Sequence, residues 1–149
     1  SWFPGGAYVV QKLFREHYAE RRLASTSGTF RDLPNRKVFF DEIATMKPEG
    51  WTPGTIDAIA TSSAGGRIVI KAVNYSGQPH KLLVKMAGAK APEKAVATLH
   101  TITAAPATKA SIEQPAIIAP VSRPFNYAKD LTIELAPHTV AVLEIRASG

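Results

Sequence analysis

The sequence contains no cysteine. A disulfide framework and a thiolate metal site are therefore excluded. Long hydrophobic runs are missing as well. The longest uncharged stretches are interrupted by Thr, Ser, Gly and Pro, and none reads as a membrane-spanning helix. Clustered positive charge is scarce despite a net charge of +6, with Arg21-Arg22 and Arg36-Lys37 the adjacent basic pairs. Nucleic-acid binding needs cations gathered in a patch with aromatic rings between them, so this excess reads as solvated surface. The four histidines, at 17, 80, 100 and 138, lack a metal-ligand spacing such as H-E-x-x-H. A G-x-S-x-G nucleophile elbow is also lacking. Ser62-Ser63-Ala64-Gly65-Gly66 is not followed by a helical pattern, as a phosphate loop requires. The expectation is a chain without metal or cofactor, with no nucleic-acid or membrane partner.

What is present suits a single domain. The 149 residues are 45% hydrophobic and 20% charged, ordinary values for a chain with a real core. The chain opens on Ser1 and Trp2-Phe3-Pro4-Gly5-Gly6, without the charged and apolar regions of a signal peptide. The expectation is a piece of a longer polypeptide, with any export signal outside it. The compartment stays open between periplasm or secretion and cytoplasm.

Residues 7–23 read as one helix. Val10, Leu13, Phe14 and Tyr18 recur at spacings of three and four and define one face. Gln11, Lys12, Arg15, Glu16 and Glu20 fill the other, and Arg21-Arg22 would suit the negative end of the helix dipole. Residues 24–37 read as a loop, Val38-Phe39-Phe40 as a short apolar run, and 46–54 as a turn-rich stretch.

Beyond that point the period changes to two. Residues 55–61 form a weak strand candidate. Arg67 to Asn74 is a strong one, with Ile68, Ile70 and Ala72 facing one way and Val69, Lys71 and Val73 the other. Lys81 to Met86 alternates with Leu82, Val84 and Met86 inward. Val96 to Ile102 and Leu131 to Leu135 follow, and Thr139 to Ile145 closes the chain. Pro106, Pro115, Pro120 and Pro124 make 104–127 a long connection with at most short edge strands. One helix followed by six or seven short strands predicts a mainly β fold, an antiparallel β-sandwich of jelly-roll-like kind.

Three segments resemble a known family. Ala7-Tyr8-Val9-Val10-Gln11-Lys12-Leu13-Phe14 is similar to the last barrel helix of glycoside hydrolase family 51 α-L-arabinofuranosidases. Arg67-Ile68-Val69-Ile70-Lys71-Ala72-Val73-Asn74 resembles the family's Lys–x–Val–Asn strand. Asp130 to Ile145, with Pro137-His138-Thr139-Val140, resembles its closing hairpin. Ser111-Ile112-Glu113-Gln114-Pro115 departs from the family's pattern, with Ala110 in the place of Asn and Ile112 in the place of Phe. Residues 24–54 show no match.

The resemblance implies two parts. Residues 1–23 would be the last helix of a missing (β/α)8 barrel, and 24–149 a C-terminal β-sandwich. It also implies that the parent is a retaining glycosidase acting on arabinose-containing polysaccharide, with two glutamates about 5–5.5 Å apart. Both would lie upstream of Ser1, so catalytic residues are expected to be none and the chain alone inactive. The partner would be the catalytic barrel of the same polypeptide. Sheet edges left uncovered would give an exposed patch or pairing between copies.

Glu16 and Glu20 sit on the polar helix face, and Glu134 and Glu144 alternate with core positions and read as outward. Asp41-Glu42 beside Phe39-Phe40 reads as a surface pair. Asn74-Tyr75-Ser76 fits a glycosylation sequon, but a strand-end Asn bonding its own backbone is the plainer reading. A carbohydrate-binding module for arabinan or arabinoxylan is the alternative function. The aromatic residues outside the helix include Phe39, Phe40 and Tyr75, and the candidate sugar contacts are Trp51, Phe125 and Tyr127. Their competing role is to plug the sandwich ends.

Overall fold

Alternation along the strands sorts side chains between two faces, and both faces of the central sheet are covered. The computed structural model describes residues 5–24, 56–87 and 91–148. Its elements are helix α1 (Gly6–Glu16) and strands β1 (Arg21–Arg22), β2 (Ile56–Ser62), β3 (Ile68–Asn74), β4 (His80–Lys85), β5 (Ala95–Thr103), β6 (Val121–Phe125), β7 (Asp130–Leu135) and β8 (Thr139–Ala147). Six strands form one antiparallel sheet in the order β1-β2-β3-β8-β5-β6, and β4 and β7 form a separate two-stranded ribbon. The described residues form an antiparallel β-sandwich of unequal layers, six strands against two, with a helix on the outer face of the wider sheet.

The main core lies between the sheets. Ile68, Ile70 and Ala72 of β3, Ala97 and Leu99 of β5, and Ala141, Leu143 and Ile145 of β8 meet Leu131, Ile133 and Leu135 of β7. Leu82, Val84 and Met86 pack beside them, as their alternation predicts. A second core lies on the opposite face, where Val9 and Leu13 of α1 pack on Val69, Ile102 and Val142. Double coverage explains the near-continuous burial of β3 and β8, which sit at the sheet centre.

Turns close the hairpins. Gly66, at φ 79, supplies the left-handed residue between β2 and β3. Asn74 is 1% exposed. Its Nδ2 donates to the carbonyls of Gln78, Leu135 and Ala136, and its Oδ1 accepts from Ser76 N and Oγ. It ties the end of β3 to the β7–β8 turn, which makes it a backbone organiser rather than a surface acceptor. The edge strand β6 carries Pro124, which cannot donate to a further strand.

The helix is shorter than its sequence pattern. It stops at Glu16, with His17 as its C-cap, and Arg21-Arg22 pair with Ser62 and Thr61 as a strand instead of forming a last helical turn. The buried face is Val9 and Leu13, with Val10 and Phe14 beside it, while Tyr18 is 63% exposed. Two cations, Lys71 of β3 and Arg67 just before it, hold carbonyls at and beyond this end. Lys71 Nζ donates to Phe14 O at 2.9 Å, and Arg67 Nη2 donates to Tyr18 O. These bonds satisfy carbonyls that further helical turns would otherwise have used.

Candidate functional site

Two constellations stand out. The first lies where the C-terminal end of α1 meets the sheet. Val69 and Glu144 are register partners on β3 and β8, and both point to the helix side. Glu144, expected outward, is 7% exposed because the helix covers that face. Its carboxylate accepts from His17 Nδ1 at 2.7 Å, Arg146 Nε at 2.6 Å and Arg67 Nη1 at 3.4 Å. Burial raises the Glu144 carboxyl, but the bonds from His17 and Arg146 outweigh it and hold the group below its ordinary value. The His17 ring lies against the His100 ring at a centroid distance of 4.1 Å. Burial, then the neighbouring His17, push His100 down. Lys71, also pushed down by burial, lies 4.9 Å from the centre of the Phe14 ring.

This hub joins helix to sheet and does not form a nucleophile relay. His100 Nδ1 meets Ser122 Oγ at 2.7 Å, but the two are cross-strand register partners. The carboxylate orients His17, while His100 only stacks on that ring. A triad requires the carboxylate to orient the base itself.

The second constellation is an open cleft of about 360 Å³ at the margin of the sandwich. It is lined by Arg123, Pro124 and Phe125 of β6, Asn126 and Ala128 of the following loop, and Asp130, Leu131 and Thr132 of β7. Register explains it. Arg123 and Phe125 stand opposite Leu99 and Ala97, so they share the core-facing side of the sheet. Among the described residues the ribbon is two strands wide and β6 lies at the sheet's edge. Arg123 therefore remains exposed, while Phe125 is half-buried against the core.

Of the sequence candidates, Phe125 lines this cleft. Tyr127 does not. It packs against the core, its hydroxyl donates to Pro92 O at 2.6 Å, and burial raises its phenol. Trp51, Phe39, Phe40, Asp41 and Glu42 lie outside the described residues. Sequence reasoning missed the hub, in which His17 and Glu144 lie 127 positions apart. It also missed Arg123 and Asp130, which nothing local marks.

The described glutamates have structural partners. Glu16 pairs with Lys12 at 3.8 Å, Glu134 with Lys81 at 3.6 Å and Glu93 with Lys129. Glu20 accepts from Ala64 N at 2.6 Å, and Glu113 from the Ser111 side chain. Among the described residues no three His, Asp or Glu side chains converge as a metal-ligand set would.

No protein-family model matches the sequence, and no curated protein matches it. Solved structures do match. An arabinose-bound GH51 α-L-arabinofuranosidase superposes on 99% of this chain and 20% of its own, with 19% identity and a TM-score of 0.72. The GH51 enzyme of Thermotoga petrophila superposes on 64% of this chain and 20% of its own, with 22% identity and a TM-score of 0.56. That of Xanthomonas axonopodis pv. citri covers 68% and 21%, with 20% identity and a TM-score of 0.55. The chain spans about a fifth of the length of the structures it matches. It shares its fold with that fifth.

Proposed function

We propose that this chain is the C-terminal, non-catalytic β-sandwich of an α-L-arabinofuranosidase of glycoside hydrolase family 51, where it packs on the catalytic barrel and stabilises it. The observation that carries the reading is the fold likeness, which runs over nearly the whole chain but only a fifth of an arabinose-bound enzyme. The local chemistry agrees. Among the described residues Glu144 is held in the helix–sheet hub and the other glutamates are exposed with local partners, whereas a retaining pair needs two carboxylates about 5–5.5 Å apart across a cleft.

In this reading α1 belongs to both bodies. One face, Val9 and Leu13, is spent on the sandwich, while Tyr8, Gln11 and Lys12 remain exposed for a neighbouring layer. Arabinose-containing polysaccharide would be the substrate of the parent enzyme, held mainly by the barrel.

The test is turnover of a chromogenic α-L-arabinofuranoside by the purified chain. No release above buffer is expected. Release that copurifies with the chain through two orthogonal columns overturns the non-catalytic assignment.

A further inference from the structure

We infer that the stacked rings of His17 and His100 are a pH-operated latch, closed near neutral pH on the C-terminal end of α1 and opened by mild acid while both sheets stay folded. The proposal rests on the geometry of the hub and is independent of the family reading.

Register builds the latch. Glu144 of β8 stands opposite Thr98 of β5, two residues from His100. Glu144 and His100 therefore share the helix face of the sheet and lie on a diagonal. His17, the C-cap of α1, bridges that diagonal. Its Nδ1 donates to Glu144 Oε2 at 2.7 Å, and its ring lies against His100 with 4.1 Å between centroids and 35° between planes. His100 Nδ1 meets the Ser122 hydroxyl at 2.7 Å.

The two rings differ in their surroundings. Glu144 and the negative end of α1 both suit a positive charge on His17. His100 has no carboxylate within hydrogen-bond reach among the described residues. Burial first, and His17 second, oppose a proton on His100 and outweigh the pull of Glu144 and Glu16. The other charges nearby give no relief. Arg67, just before β3, and Arg146 of β8 already bond Glu144, and Lys71 of β3 holds Phe14 O. Helix α1 adds the exposed pair Lys12–Glu16, and Glu20 is bound to Ala64 N instead. Strand β6 adds the uncharged Ser122. Acid thus places charge on adjoining rings in a hub already supplied with cations.

Relief requires little movement. Residues 17–20 link α1 to β1 outside any helix or strand, and Ala19 is the buried apolar side chain among them. Lifting them separates the rings and admits water to His100, while uncovering little more than one methyl group. Val9 and Leu13 keep the body of the helix on the sheet. The closed form binds the His100 proton less well than the open form. The latch is therefore fully closed above about pH 6.5 and loosens as pH falls below it, by at most about tenfold per pH unit. Glu144, held below 4.5, stays ionised over this range.

The test is native-state amide exchange of the ¹⁵N-labelled chain at pH 7.5 and 5.5, each with and without low concentrations of urea, in the parent, His100→Gln and His17→Gln. In the parent, protection of residues 14–18 should fall by about three- to tenfold at pH 5.5. Their exchange should be insensitive to urea at both pH values, as local opening requires, while β3, β5 and β8 show the full urea dependence of global unfolding. In each glutamine variant the ratio of protection between the two pH values should return to about one. The ratio is taken within each variant, so a change in its overall stability does not mask the result. The latch is overturned by equal protection of residues 14–18 at both pH values in the parent, by a loss that follows urea as the strands do, or by a loss that persists in either glutamine variant.

Discussion

Replacing Glu144 by alanine should loosen the helix from the sheet, and the structure sets the size of the effect. The carboxylate accepts from three donors that differ in burial. The side chain of His17 is 16% exposed, that of Arg67 is 26% and that of Arg146 is 68%. Arg146 regains water at little cost. Arg67 keeps the carbonyl of Tyr18. His17 loses its partner beneath the helix end. A buried charged hydrogen bond whose partner is removed costs several kcal/mol, and partial exposure reduces this, so about 2–3 kcal/mol is expected. For a chain of this length that corresponds to a fall in Tm of about 6–12 °C. Calorimetry at pH 7.5 measures it, and hydrogen exchange locates it. Amides of residues 9–17 should lose protection first, ahead of β3 and β8. A variant whose Tm lies within about 2 °C of the parent, or whose helix amides exchange no faster, would refute the view that this hub secures the helix.

Acid should act on the same hub. Glu144 and His100 both have folded pKa values below their ordinary 4.5 and 6.5, so the unfolded chain takes up protons first. Their contribution is complete above about pH 6.5, declines as pH falls below it through His100, and declines again below about 4.5 through Glu144. Urea midpoints at pH 8, 5.5 and 4 should fall in that order, and His100→Gln should remove the first step while keeping the second. Ile133→Ala, at a fully buried site between the sheets, should cost about 3–4 kcal/mol in urea unfolding. Leu83→Ser, 75% exposed on the outer face of the ribbon, should stay within about 0.5 kcal/mol. Asn74→Ala leaves three carbonyls and two donors without their partner, and a loss of about 2–4 kcal/mol should appear in the same assay.

The strands were legible because period-two burial survives into the structure. Leu131, Ile133 and Leu135 face the core as their alternation requires, and Ile68, Ile70 and Ala72 separate from Val69 and Lys71 in the same way. The helix was legible in kind but not in length. Residues 18–23 are compatible with a helix, and the groups that bond the carbonyls of Phe14 and Tyr18, Lys71 and Arg67, lie about fifty positions away. Alternation placed Glu144 on the opposite face from Leu143 and Ile145, which is correct, but it carries no information about whether that face is covered. The cleft was legible only through Phe125. Its existence depends on the ribbon being narrower than the sheet, a fact about pairing that no single strand encodes.

The central claim, that these residues form the sandwich of a larger glycosidase whose reacting groups lie elsewhere, is tested most directly by an activity gel. Extract from the producing cells is separated by mass, probed with antibody against residues 91–148, and overlaid with a fluorogenic α-L-arabinofuranoside. The account predicts that antibody and activity mark one band, from a polypeptide roughly five times as long as this chain. Activity in a band of about 16.0 kDa, or an antibody band of full length without arabinofuranosidase activity, contradicts it.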